Sequence, residues 1–161
     1  LAVNRLAVRS ARTETLGERA VTVWSVQPEF GEPPSLDLLR EDIRMALSGG
    51  LDIDGKLHAR AAAYRRLGTR RPAPAQFKLV ADASDRATVI EVRAQDAPGL
   101  LRTIAHAISS VSISIEAAQV ATLGSDVVDV FYVLANGEPL NMAQVSRVRS
   151  EVLDAHAGSD G

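Results

Sequence analysis

The sequence contains no cysteine, few aromatic residues and no long apolar run, and each absence excludes a class of protein. Without cysteine there is neither a disulfide framework nor a thiolate metal site. Aromatic residues make up only 4% of the chain, so its core must consist of Val, Ile, Leu and Ala. No apolar stretch approaches the roughly 20 residues of a membrane helix, and no signal-peptide pattern is present at the start. We therefore expect a cytoplasmic chain without a membrane partner.

Apolar residues nevertheless make up 46% of the 161 residues, and the net charge is only −2. This composition is typical of a globular chain that folds around a hydrophobic core. The length is sufficient for one ordinary domain or two small ones.

A repeated pattern favours two units. Residues 15–17 and 122–124 both read TLG, an offset of 107 residues, and each is followed by a β-branched run. The triplet GEP then recurs at 31–33 and 137–139, before an amphipathic stretch in each copy. Two copies are too few for a solenoid. The chain therefore holds one structural unit twice.

The second copy shows the unit most completely. Ala87–Arg93 is strand-like, a helix is predicted from Leu100, and Ser112–Ala121 and residues 127–135 are predicted strands. A last helix extends to about Ala155. This β-α-β-β-α order predicts an α+β chain of tandem ferredoxin-like (βαββαβ) domains.

The repeat also predicts the domain boundaries. Leu1 aligns with Ile108, so the first domain is expected to be truncated at its N-terminus. Residues 1–50 are predicted to form the C-terminal part of that domain. Residues 51–75 are predicted to be a helical spacer with a Pro-containing linker, and residues 76–161 the second domain with an extra leading strand. That strand, Phe77–Ala81, would form a hairpin with Ala87–Arg93.

The best candidate site is the turn before the first helix of the second copy, which comprises Asp96, Ala97, Pro98, Gly99 and Leu100. The N-terminus of a helix offers unpaired N–H groups to a carboxylate, and glycine allows a ligand to approach the backbone. Asp96 is suited to the α-amino group of an amino acid. A plain helix start, with Asp96 as N-cap and Pro98 in the first turn, is the alternative.

The third strand of the second copy is apolar on both faces. We expect Val128, Val130 and Tyr132 to face the helices, while the opposite face is apolar except for Asp129. Strand 112–121 is expected at the edge of the ferredoxin-like unit, where it could extend the sheet across a partner. A second apolar face favours cover by another sheet, helix or subunit, hence a homo-oligomer; scattered surface apolar residues are the alternative.

Nucleic-acid binding is not expected. Residues 55–81 contain seven basic residues and no acid, but a solvated helix and linker explain that run. RNA-recognition modules share the β-α-β-β order and need exposed aromatic residues on the third strand. Here that strand carries Asp126 and Asp129, which would repel phosphate.

Catalytic and metal-ligating patterns are also missing. Gly124-Ser125 is followed too closely by Asp126 and Asp129 for a nucleotidyltransferase metal site, and no phosphate-binding loop is present. The three histidines, His58, His106 and His156, lack ligand spacing. We therefore predict no catalytic residues and no metal or cofactor in this chain.

The residues QDAPGLLRTIAHAI followed by SISIEAAQVATLGSDVVDVFYV resemble an ACT domain, a regulatory module that senses amino acids. With AVTVWSVQPEFGEPP and AAAYRR upstream, nearly the whole chain resembles the C-terminal tandem ACT region of bifunctional protein-PII uridylyltransferase/uridylyl-removing enzymes.

That resemblance implies a glutamine-binding regulatory region whose parent modifies the PII signal protein in nitrogen regulation, with Mg²⁺ serving upstream catalytic domains. Whether the parent transfers UMP or AMP stays open. An ACT tandem of another amino-acid-regulated protein and a purely oligomerising interaction module are the alternatives.

Overall fold

A computed structural model describes residues 1–67, 73–123 and 125–159 of the chain. These residues form one six-stranded antiparallel sheet, four α-helices and a short 3-10 helix, Ala2–Asn4. The elements are β1 Leu6–Leu16, β2 Arg19–Pro28, α1 Leu36–Leu47, α2 Ile53–Leu67, β3 Gln76–Val80, β4 Thr88–Gln95, α3 Leu100–Ser110, β5 Ser114–Leu123, β6 Asp126–Leu134 and α4 Met142–Ser159. Residues 68–72 of the predicted linker and Gly124 of the predicted turn lie outside the described residues.

The second copy has the predicted α+β, ferredoxin-like arrangement. Its strands lie side by side in the order β5-β6-β4-β3, and α3 packs against α4. The leading strand β3 forms the predicted hairpin with β4, in which Phe77 pairs with Val92 and Leu79 with Ile90. A strand that precedes the unit therefore occupies the sheet edge beside β4.

Residues 112–121 form the edge of the second copy's own four strands, as predicted, but not an edge of the whole sheet, because β5 extends the sheet to the first copy. Strand β5 pairs with β6 on one side and with β1 of the first copy on the other. Arg12 lies opposite Gln119, and these two positions are related by the repeat offset of 107 residues. A pseudo-twofold axis therefore passes between equivalent strands. By pairing with each other, these two strands supply hydrogen-bond partners for the backbone N–H and C=O groups that an exposed sheet edge would leave unpaired.

The predicted orientation of β6 is wrong. Val127, Asp129, Phe131 and Val133 are buried on the helix-packed face, whereas Val128, Val130 and Tyr132 lie on the other face and are half-buried. Alternation with a period of two identifies which residues share a face, but it does not identify which face meets the helices. Phe131, the largest fully buried side chain, packs among the apolar residues of α3 and α4.

The first copy is much more exposed. Trp24 corresponds to Phe131 by the repeat, yet 41% of its surface is exposed, compared with 1% for Phe131. Helix α1 begins at the N-cap Ser35, whose Oγ accepts a hydrogen bond from the Leu38 N–H (3.3 Å), and has no buried residue. The described part of the first copy thus contributes two strands to the shared sheet but encloses little core of its own.

Candidate functional site

The turn between β4 and α3 is fixed by backbone hydrogen bonds. The Asp96 N–H donates to the Ser125 carbonyl (2.8 Å), and the Leu100 N–H donates to the Ala97 carbonyl (3.1 Å). Gly99 is the N-cap and has a φ of 85°, a left-handed conformation that glycine adopts without strain. None of the side chains that the structure describes caps α3. The alternative in which Asp96 is an ordinary N-cap is therefore wrong.

The five predicted site residues differ in their surroundings. Asp96, Pro98 and Gly99 are half-buried, and Ala97 is exposed. The side chain of Leu100 is buried in the core of the second copy, so this residue offers only its backbone to the turn. The first-turn N–H groups of α3 consequently lie beside a half-buried carboxylate and lack a side-chain acceptor.

Helix α2, the predicted spacer, lies over this turn. A Cβ at Gly99 would lie 3.2 Å from Leu57 Cδ1. The absence of a side chain at Gly99 therefore allows Leu57 to pack closely against the turn. Arg102 of α3 forms an ion pair with Asp54 of α2 (Nη1 to Oδ1, 2.5 Å). The turn is therefore held from outside by the segment that connects the two copies.

The same helix is bound to the first copy. Arg60 donates to the carboxylate of Glu29 (2.5 Å), which follows β2, and also to the carbonyl oxygen of Ala2. Both side chains of this ion pair are largely buried, with 20% of Arg60 and 27% of Glu29 exposed. Helix α2 thus connects the predicted site to the start of the chain and to the end of β2.

Charges from the first copy act on Asp96. Burial raises the pKa of Asp96 above its ordinary value, the positive charge of Arg9 lowers it, the negative charge of Glu29 raises it, and a hydrogen bond from the Ala97 N–H lowers it. The Arg9 guanidinium is itself held by Gln27, to which its Nε donates (2.9 Å). The turn therefore lies at the junction of the two copies.

Asp129 adds a second carboxyl group to this region. It is 1% exposed, and its Oδ1 has no hydrogen-bond partner among the described residues. Its strand neighbours in register, Val92 on β4 and Val120 on β5, are buried and apolar. Burial raises the pKa of Asp129 to about 7, and the negative charge of Asp96 also raises it. Within the described ranges, Asp129 is thus a buried acid on which only another acid, Asp96, is seen to act.

Sequence reasoning identified the turn but missed four residues around it, namely Arg9, Glu29, Arg60 and Asp129. The signal for Asp129 was present as the single acid within the alternating run VVDVFYV, but it was assigned to the wrong face of the sheet. Nothing local marks Arg9 and Glu29, whose charges act on Asp96 only because β1 pairs with β5, or Arg60, which holds Glu29 from α2.

Together these groups suit a small zwitterion. The uncapped N-terminus of α3 favours a carboxylate, and the nearby acids Asp96 and Asp129 favour a cation. In the ranges described, no three His, Asp or Glu side chains come together as a metal-ligating group. None of the helices there combines the length and the apolar character needed to cross a bilayer.

The chain is similar to bacterial enzymes named bifunctional uridylyltransferase/uridylyl-removing enzyme. It is 39% identical to the one from Streptomyces coelicolor over 95% of this chain, and 34% identical to the one from Mycobacterium tuberculosis over 96%. The relative from Gluconobacter oxydans is 35% identical over 95% of the chain. No family model matches, and no solved structure matches.

The chain spans about a fifth of the length of these relatives, namely 20%, 21% and 17%. The matches confirm the resemblance predicted from the sequence, and they extend over both copies and the helix between them. The chain is therefore homologous, over nearly its whole length, to the C-terminal region of the bifunctional uridylyltransferase/uridylyl-removing enzymes.

Proposed function

We propose that this region is a tandem ACT regulatory region that binds glutamine at the Asp96–Leu100 turn. It would thereby regulate an enzyme that adds nucleotides to, and removes them from, the PII signal protein. The main support is the placement of an uncapped helix N-terminus beside Asp96, at the junction of the two copies. We also propose that the parent enzyme uses Mg²⁺ to transfer UMP or AMP.

The groups around the turn match the parts of glutamine. The α-carboxylate would accept hydrogen bonds from the first-turn N–H groups of α3, where the helix dipole also favours negative charge. The α-ammonium would donate to Asp96. The side-chain amide needs one donor and one acceptor, and Arg9 and Glu29 of the first copy, whose charges act on Asp96, offer both.

Helix α2 provides a physical link from this site to the first copy. A ligand at the turn would displace Leu57 from Gly99 and alter the position of α2 and its contact with Glu29 through Arg60. The ligand can shift an equilibrium only by the difference between its affinities for the two arrangements. Coupling of this kind is typically about 1–3 kcal/mol.

Calorimetric titration with L-glutamine tests the proposal, with L-glutamate and L-leucine as competitors of similar size. We expect saturable binding of glutamine that is much weaker in Asp96→Ala and unchanged in the control Asp126→Ala, which alters an exposed acid at the start of β6. Equal binding of all three amino acids, or full affinity in Asp96→Ala, would overturn it.

A purely oligomerising interaction module is the second candidate, and it is favoured by exposed apolar residues. Val21 and Val23 on β2 are 51% and 69% exposed, and α1 exposes Leu36, Leu38, Ile43 and Leu47. This function predicts a homo-oligomer whose association does not depend on amino acids. Sedimentation velocity with and without 10-fold excess glutamine, and with Val21→Lys/Val23→Lys, separates it from sensing.

A further inference from the structure

Asp129 lies on the face of the sheet that packs against the helices. Its neighbours on the same face of β6, Val127 and Phe131, belong to the core cluster that also contains Leu100 and Ile104 of α3. The side chain of Asp129 therefore points to the side of the sheet that α3 covers, because residues two apart on a strand share a face. The predicted ligand turn leads directly into this helix.

A buried carboxyl oxygen without a hydrogen-bond partner, such as Asp129 Oδ1 among the described residues, is costly for a fold to maintain. An unsatisfied buried acceptor costs on the order of 1–3 kcal/mol, and a charged one costs more. An apolar residue in place of Asp129 would avoid that cost, because it would lie between two valines, its neighbours in register on β4 and β5. A group with an empty acceptor at such a position is suited to receive a donor from outside the chain.

The local charge specifies that donor. The only charge found to act on Asp129 among the described residues is that of another acid, Asp96. Two neighbouring carboxyl groups cannot both ionise cheaply in a buried site, so a cation is the ligand group that they favour most. An ammonium group supplies both a positive charge and three hydrogen-bond donors.

We propose that Asp129 is the buried acceptor for the ammonium group of the bound amino acid, and that binding expels a proton from Asp129 to solvent. This inference rests on the proposed amino-acid function. In the unliganded protein at pH 6, Asp129 carries the proton; on binding, the carboxyl O–H bond breaks, the proton passes to buffer, and the carboxylate accepts an N–H···O bond from the ammonium group. The ligand keeps all three of its ammonium protons.

The other charged groups around the turn also have partners in the unliganded chain, although these contacts use only Nε of Arg9 and Oε2 of Glu29. Arg60 pairs with Glu29, Arg102 pairs with Asp54, and Arg9 is held by Gln27. His156 of α4 is buried and engaged in an interaction of its own. The charge of Asp96 acts on Asp129, the charges of Arg9 and Glu29 act on Asp96, and Asp126 is exposed on the same strand as Asp129.

The test is calorimetric titration of the full chain with L-glutamine at pH 6 in two buffers of different ionisation enthalpy, which gives the number of protons released. We expect 0.5 to 1 proton released per glutamine bound, as an order-of-magnitude consequence of the raised pKa. In Asp129→Asn we expect about zero proton release and at least 10-fold weaker binding. The matched control Asp126→Asn should behave like the wild type.

The outcomes are distinguishable. Glutamine binding with unchanged affinity and unchanged proton release in Asp129→Asn overturns the role of Asp129 and leaves the sensing function standing. Absence of binding by the wild-type chain overturns both. If Asp129→Asn is unfolded by circular dichroism, Asp129→Glu serves instead, because it keeps the carboxyl group but displaces it, and wild-type affinity in that variant would contradict the proposal.

Discussion

At the scale of single residues, Gly99 is required by both its backbone and its neighbour. Its φ of 85° is unfavourable for other residues, and an added Cβ would press on Leu57 at 3.2 Å. We expect Gly99→Ala to lower the free energy of unfolding by roughly 2–3 kcal/mol, of which about 1–2 is conformational. Gly137→Ala is the matched control, because Gly137 has a φ of 84° with open space around it. Equal losses in urea denaturation would show that Leu57 does not press on the turn.

Asp129 should make the stability of the protein depend on pH. Its pKa is raised from 3.8 to about 7 on folding, so the folded protein retains a proton that the unfolded chain loses between these values. Stability from this group is therefore full below about pH 4 and falls as the pH rises to about 7. The shift corresponds to at most roughly 4 kcal/mol.

Urea denaturation between pH 5 and 8 measures this effect. We expect Asp129→Asn to gain stability relative to the wild type as the pH rises, because the amide does not ionise, while Asp126→Asn follows the wild type. Parallel curves for Asp129→Asn and the wild type would show that Asp129 is ionised throughout or has a countercharge.

At the scale of elements, α2 is held more strongly at the first copy than at the second. The Arg60–Glu29 pair is mostly buried and shares the guanidinium with the Ala2 carbonyl, whereas Arg102 and Asp54 are 45% and 75% exposed. We expect Arg60→Gln to lower the free energy of unfolding by about 1–3 kcal/mol. Arg102→Gln should cost less than about 1 kcal/mol. Denaturant melts of both variants provide the comparison, and a reversed order would contradict this role of Arg60.

The elements of the second copy could be predicted from local patterns, but their partners could not. Residues such as Leu100, Ile104 and Ile108 recur at helical spacing, and Thr88–Gln95 is β-branched, so α3 and β4 are recognisable. The helix-facing side of β6 was not recognisable, because both of its faces are apolar. Packing against α3 and α4 selects the face with Phe131, and it carries Asp129 into the core.

The candidate site was predictable to the same extent. The turn Asp96–Leu100 is a local pattern, and its residues do lie together between β4 and α3. The contributions of Arg9, Glu29 and α2 depend on contacts between distant parts of the chain, which no local spacing encodes.

At the scale of the whole molecule, the two copies share one sheet but differ in completeness. Trp24, the only tryptophan, occupies the position of Phe131 and is largely exposed. Because 41% of its surface is exposed, we expect acrylamide to quench Trp24 fluorescence efficiently in this chain. Weak quenching in the folded chain would contradict that expectation.

The central claim is that this region binds glutamine at the turn where the two copies meet. The most direct measurement is calorimetric titration of the chain with L-glutamine, alongside Asp96→Ala and Asp126→Ala. The account predicts saturable binding in the wild type and in Asp126→Ala, with a loss of affinity of at least about 10-fold in Asp96→Ala, as expected for one charged hydrogen bond. Equal affinity in all three proteins, or no binding in any, would contradict it.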